Sequence, residues 1–114
     1  MRRVVLGLML MGVLAGGAVA EELSPATDRL LWCGSAFYWL STDAYDSRND
    51  AEGDQYEAWS EDLAGRADMM LQSEGKDEAA IGAIREDYDS RVVDEMGTGK
   101  AKYDVTMCPD LVVH

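Results

Sequence analysis

The fold is decided by residues 24–46, which read SPATDRLLWCGSAFYWLSTDAYD. Ser24 is a preferred N-cap residue and Pro25 suits the first helical position, so together they predict a helix start. Apolar side chains then recur at alternating steps of three and four, the spacing of a helix face that packs on a partner. We therefore predict a first helix from about residue 25 to about residue 47, with an apolar stripe at Leu23, Ala26, Leu30, Cys33, Phe37, Leu40 and Ala44.

Two further helices are predicted from the same spacing. The second runs from about residue 54 to 73, after a polar connection over residues 47–54, and Gly75 is its expected stop. Asp77 is the expected N-cap of the third helix, which Gly97-Thr98-Gly99 ends. Their apolar stripes are Tyr56, Trp59, Leu63, Ala67 and Met70 in the second helix, and Ala80, Ile81, Ile84, Tyr88, Val92 and Met96 in the third.

The tail, residues 100–114, alternates apolar and polar positions near its start and is predicted to be extended. Its Cys108 and the distant Cys33 are too far apart for a CxxC redox site and too few for a typical zinc site. In an oxidising compartment, such a pair predicts a disulfide. The sequence thus predicts an all-α fold, a small three-helix domain whose extended C-terminal tail is strapped to helix one by this bond. Gly34, beside Cys33, is expected to let the tail approach closely.

Residues 1–20 have the three parts of a secretory signal peptide. The positive pair Arg2-Arg3 precedes an uncharged apolar stretch, and Ala18-Val19-Ala20 is a small-x-small cleavage sequence. An uncleaved membrane anchor is the alternative, but only 17 residues separate the arginines from the first glutamate and four of them are glycines. A spanning helix needs about 20 strongly apolar residues. We expect cleavage after Ala20, which leaves residues 21–114 as a single helical domain in the bacterial periplasm or outside the cell, without stable membrane insertion.

The charge of the chain is strongly negative. Ten Lys and Arg face 22 Asp and Glu, a net charge of −12, and loss of the two arginines with the signal peptide leaves −14. Nucleic acids and anionic lipids bind through basic patches, so neither is an expected partner. The charge suits high solubility, cation attraction or a basic partner. Three Trp, five Tyr and one Phe among spaced aliphatic residues argue against a disordered chain.

Several chemistries lack the residues they need. His114 is the only histidine, which excludes a histidine-based triad and a multi-histidine metal site. An EF-hand loop centred on Gly53 would place Arg48 and Trp59 at ligand positions. Gly97-Thr98-Gly99-Lys100 lacks the remaining residues of a phosphate loop. We predict no catalytic, metal-binding or cofactor-binding residues, and a carboxylate-based hydrolase remains a minor alternative because acidic residues are abundant.

Residues 32–39 are the most aromatic segment of the chain and contain two tryptophans seven positions apart. Trp32 and Trp39 share a row on the helix, offset from the apolar stripe. Exposed aromatic rows mark binding surfaces, so the predicted surface for a protein partner consists of Trp32, Trp39, Tyr38 and Tyr45. The alternative is that the tail or helix two covers this row.

The chain resembles the acid-stress chaperones of the bacterial periplasm in size, export signal, helicity and single pair of cysteines. Trp32, Cys33 and Phe37 are similar in placement to the Trp-x-Cys-x-x-Phe start of that family. The cysteines here are much farther apart, and the lysine-rich tail of the family is missing. No functional residue is therefore carried over from it.

Three functions are compatible with these features. The first is an exported, non-catalytic periplasmic interaction or accessory protein. The second is an acid-stress periplasmic chaperone, because protonation of many carboxylates would remove much of the charge and expose the aromatic row. The third is a small-ligand or cation-binding protein.

Overall fold

The computed structural model describes residues 23–113, which form three α-helices and one 3-10 helix, with no strand among them. The helices are α1 (Pro25–Asp46), α2 (Asp50–Ser73) and α3 (Glu78–Thr98), followed by the 3-10 helix Val105–Leu111. The predicted all-α class is therefore confirmed. The predicted signal peptide, residues 1–20, and its cleavage site after Ala20 lie outside the described residues.

The two residues predicted as N-caps form the starts of α1 and α3. Ser24 Oγ accepts a hydrogen bond from the Thr27 amide at 3.2 Å, and Asp77 Oδ1 accepts one from the Ala80 amide at 2.8 Å. Each satisfies an amide that the first helical turn leaves unpaired. At the other end of α3, Gly99 adopts a left-handed φ of 72° and its amide bonds to the Glu95 carbonyl. That conformation suits glycine, which lacks a Cβ to clash.

The start of α2 differs from the sequence prediction by four residues. Asn49 is the N-cap, and its side-chain oxygen accepts a hydrogen bond from the Glu52 amide at 3.3 Å. The turn that precedes it places Arg48 at a left-handed φ of 64°. Most of the predicted connection is therefore the first turn of α2, because an Asn cap at this point outweighs the polar composition that suggested a loop.

The first helix is the centre of the molecule, and α2 runs antiparallel along it. Tyr45 bonds to Asp54 near one end of the pair, and Thr27 contacts the Met70 sulfur at the other. Gly34 lies between them, where a Cβ would stand 3.5 Å from the Ala64 amide nitrogen. This is an ordinary van der Waals distance, so the approach of α2 does not require glycine here. The neighbours of the potential Cβ belong to α2, and the prediction that Gly34 accommodates the tail is wrong.

The third helix crosses α1 and scarcely contacts α2. The side chains of Tyr88, Asp89 and Glu95 all bond to α1 within its residues 28–35. Glu95 accepts a hydrogen bond from Trp32, so the end of α3 already lies beside Cys33. The tail therefore follows a short path from the end of α3 to bring Cys108 to Cys33.

The tail is helical where an extended segment was predicted. Asp104 caps the 3-10 helix by accepting hydrogen bonds from the Thr106 amide at 3.0 Å and the Thr106 hydroxyl at 2.7 Å. These local bonds favour a turn over an extended strand, which would find no neighbouring strand among the described residues. The predicted Cys33–Cys108 disulfide is present, with 5.5 Å between the Cα atoms, and both cysteines are buried.

The hydrophobic core lies where α1 meets its neighbours on all sides. The largest fully buried side chains come from all three helices and the tail, and they are Trp32, Phe37, Leu63, Leu71, Val92, Thr27, Cys33 and Cys108.

No helix of residues 23–113 has both the length and the apolar character needed to cross a bilayer.

Candidate functional site

Trp32 is fully buried, which removes it from the predicted partner surface. The ring of Tyr103 packs edge-on against it at a centroid distance of 5.6 Å. Its indole nitrogen donates a hydrogen bond to Glu95 Oε1 at 2.9 Å. The tail and α3 together cover this residue. The alternative prediction, in which the tail or helix two covers the row, therefore holds for Trp32 in the part played by the tail, while the part played by α3 was not predicted.

Trp39 and Tyr38 lie closer to solvent. The Trp39 indole nitrogen donates to the Asp89 carbonyl at 3.0 Å, which fixes the ring against α3. Tyr38 is 48% exposed, and its ring meets that of Trp39 in a T-shaped contact at 4.9 Å. Tyr38 is therefore an exposed aromatic side chain on a rigid helix, supported from one side by a tryptophan that is itself anchored.

Tyr45 is held against the first turns of α2. Its hydroxyl donates to Asp54 Oδ1 at 2.6 Å and to Glu57 Oε1 at 3.0 Å. The hydrogen bond to the Asp54 carboxylate is the main cause that raises the pKa of Tyr45 above its ordinary value. Gly53 leaves room for the ring, because a Cβ there would lie only 2.6 Å from Tyr45 Cε1.

A groove lies along α2, with α3 opposite it towards the end of α2 and α1 opposite it towards the start, and we call it the α2–α3 groove. It consists of three adjoining cavities of about 240, 400 and 440 Å³, all lined in part by Arg85. Two of them are lined by Tyr38, and one also by Tyr45. The groove exists because α2 and α3 each pack on α1 and scarcely touch each other. It thus brings together two of the four residues predicted as a partner surface.

Carboxylates dominate the charge of the α2–α3 groove. Its acidic lining residues are Glu57, Glu61, Asp68, Glu78 and Asp89. Arg85 is the only basic lining residue of these three cavities, and its ion pair with Asp68, at 3.1 Å, bridges α3 to α2. The other oxygen of Asp68 is buried without a hydrogen-bond donor in the described part of the chain. The groove therefore carries an excess of negative charge.

Sequence reasoning missed the walls of the groove. The α2 wall is formed by residues 57, 61, 64, 68 and 72, which recur at steps of three and four and so lie on one helix face. This polar face can be recognised in the sequence, but a helix face that is simply exposed to solvent has the same pattern of residues. Only the position of α3 turns it into the side of a groove.

A second cluster joins the tail to the helices, and we call it the Asp28 clasp. Asp28 Oδ1 accepts a hydrogen bond from the Tyr88 hydroxyl at 2.5 Å. Its Oδ2 accepts from the Tyr103 hydroxyl at 2.5 Å and from Lys102 Nζ at 2.8 Å. The carboxylate thus links α1, α3 and the tail through three charge-assisted bonds.

The hydrogen bonds of the Asp28 clasp shift the pKa values of its members. Burial raises the pKa of Asp28, but the hydrogen bonds from Lys102, Tyr103 and Tyr88 outweigh burial and hold it below the ordinary value. Burial and the bond to Asp28 raise the pKa of Tyr103 to about 12. The tyrosines therefore remain hydrogen-bond donors, and Asp28 remains an acceptor, at neutral pH.

A cavity of about 430 Å³ lies beside the disulfide, between the start of α1 and the 3-10 helix. Arg29 stands over the ring of Tyr103 at 5.5 Å, and Met107 is largely exposed at its edge. Across residues 23–113, no three His, Cys, Asp or Glu side chains converge as they would around a metal ion. The small-ligand and cation-binding hypotheses remain predictions.

Comparison with protein-family models, curated proteins and solved structures finds no match to this chain.

Proposed function

We propose that this chain is an exported, non-catalytic interaction protein that binds a segment of a partner protein in its α2–α3 groove, in the bacterial periplasm or outside the cell. The observation that carries the proposal is the half-exposed ring of Tyr38, which lines two of the adjoining cavities. Trp39 holds this ring on a packed helix. An anchored aromatic residue inside a concave, polar-rimmed surface is the arrangement of a binding hot spot.

Export is supported by two features that are independent of the groove. Residues 1–20 have the composition of a signal peptide. The Cys33–Cys108 disulfide belongs to an oxidising compartment, because thiols in the bacterial cytosol are kept reduced. Mass spectrometry of the protein produced from its full sequence in a bacterial host should find a periplasmic product that starts at Glu21. A product that retains residues 1–20 would contradict export by cleavage.

The binding role is tested by groove-dependent capture of a partner. The exported protein, immobilised by a C-terminal tag, is exposed to periplasmic extract, and proteins retained by wild type are compared with those retained by Tyr38→Ala. We expect the partner to be lost in Tyr38→Ala and kept in Met69→Ala, which truncates a side chain that is 68% exposed and lies outside the groove. Equal capture by all three proteins would contradict the proposal.

The Asp28 clasp favours a second candidate, an acid-responsive chaperone. The Asp28 carboxylate of α1 bonds to both α3 and the tail, and protonation would replace these charge-assisted bonds with weaker ones. Loss of the bond to Tyr103 would free the ring that covers one side of Trp32, while the disulfide keeps Cys108 on α1. Light scattering of an aggregating client between pH 7 and 2 tests this role, and an absence of protection at low pH would end it.

A further inference from the structure

We infer that the occupant of the α2–α3 groove is a cationic amphipathic helix of the partner protein. This inference rests on the proposed function and specifies the chemistry of the partner. It draws on the charge of the groove, its length and the nature of its walls.

Charge complementarity is the first argument. Glu57, Glu61, Glu78 and Asp89 line the groove and form no ion pair within residues 23–113. The charge of Arg85 is already matched by Asp68. Carboxylates distributed along both walls repel an anionic segment and attract lysine or arginine side chains, because potentials across an interface are complementary.

The length of the groove is the second argument. Along α2 it extends from Glu57 to Gln72, and these 15 helical steps span about 22 Å. Four turns of a partner helix cover the same distance. The middle cavity is lined by the small side chains of Ser35, Ser60 and Ala64, with Tyr38 beside them as an apolar contact. Arg85 also lines this cavity, so an occupant must pack over its side chain.

The walls of the groove explain why the occupant is helical. An extended segment gains much of its affinity by pairing its backbone with an exposed strand edge. Residues 23–113 contain no strand, and the walls offer side chains only. A helix satisfies its own backbone hydrogen bonds and needs only side-chain contacts, so it suits this groove. Bound there, it would pack against α1, α2 and α3 as a fourth helix.

The test uses a defined probe, a capped 16-residue peptide of Lys and Leu with the leucines on one helical face. Calorimetry should show saturable binding to the exported protein, and circular dichroism should show that the peptide gains helix on binding. Tyr38→Ala and the double variant Glu57→Gln/Glu61→Gln should each weaken binding about tenfold. The matched control Glu86→Gln/Asp94→Asn removes two exposed carboxylates of α3 outside the groove and should change the affinity less than about twofold.

Each other outcome overturns the inference in a recognisable way. Equal weakening by both double variants would show that the peptide responds to net charge alone. Binding without gain of helix would exclude a helical occupant. A wild-type dimer that Tyr38→Ala dissociates would identify a second copy as the occupant. An absence of peptide binding, combined with capture that still depends on Tyr38, would overturn the inference and leave the proposed function standing. If capture is independent of Tyr38 as well, both fail.

Discussion

At the scale of single residues, Asp28 connects three parts of the molecule. It lies in the first turn of α1, where an acidic residue is ordinarily favourable beside the unpaired helix amides. Here, however, its carboxylate accepts three hydrogen bonds from α3 and the tail. A residue whose position suggests a local helix-start role is therefore a long-range connection.

Replacement of this carboxylate by an amide should destabilise the protein. In Asp28→Asn, one acceptor oxygen becomes a donor that faces other donors, so we expect the free energy of unfolding to fall by about 2 kcal/mol at pH 7. Urea denaturation followed by circular dichroism measures the change. Asp43→Asn, an exposed position on the same helix, is the control and should change stability by less than about 0.5 kcal/mol. Equal stability of the two variants would contradict the clasp.

The pH dependence of this stability difference shows how much of it comes from the negative charge of Asp28. The folded-state pKa of Asp28 lies below the ordinary value of 3.8, so its stabilisation is complete above that value and is lost as pH falls through the lower pKa. The difference in unfolding free energy between wild type and Asp28→Asn should stay constant from pH 7 to about pH 5 and diminish towards pH 2. A difference that is unchanged at pH 2 would show that the ionised form contributes nothing.

At the scale of secondary-structure elements, two glycines of α2 should respond differently to replacement by alanine. Gly65 is exposed with no atom near a potential Cβ, so Gly65→Ala should stabilise the protein by about 0.5–1 kcal/mol through helix propensity. Gly53→Ala must displace the ring of Tyr45 and disturb its bond to Asp54, which offsets that gain. Thermal unfolding of both variants measures the contrast. An equal gain in both would show that Tyr45 is not held against α2.

The elements also show what local sequence determines. Ser24, Asp77 and Gly99 encode helix ends through their own side chains or backbone freedom, and each lies at the end that the sequence predicts. Asn49 carried the same kind of signal, although the polar residues after it suggested a loop. The crossing of α3 over α1 has no such signal, because an apolar stripe specifies which face is buried and leaves the crossing angle open.

At the scale of the whole molecule, the disulfide closes a loop between cysteines 75 positions apart. The chain-entropy model gives a stabilisation of about 4 kcal/mol for such a loop. We expect Cys33→Ala/Cys108→Ala to lose about that amount in urea denaturation. Reductant should shift wild type to the midpoint of the variant and leave the variant itself unchanged. A reductant effect on the variant would point to a cause other than this bond.

The candidate site is a property of the whole molecule, which limits how much of it the sequence could predict. Tyr38 and Tyr45, two of the predicted partner-surface residues, line the groove, and their role in binding stays a prediction. The predicted surface also included Trp32, which the tail covers. Arg85, Glu61 and the other wall residues become a site only because two helices share α1 and stay apart. That arrangement depends on long-range packing and leaves no local pattern.

The enclosed position of α2 and α3 between the two cysteines has a consequence for biosynthesis. A polypeptide is delivered from its N-terminus, so Cys33 appears before either helix and Cys108 only after both. A chain that has been delivered only as far as α3 cannot carry the native cross-link, because Cys33 then has no partner cysteine beside it. Under the export proposed above, the bond can therefore form only after α2 and α3 have both been delivered.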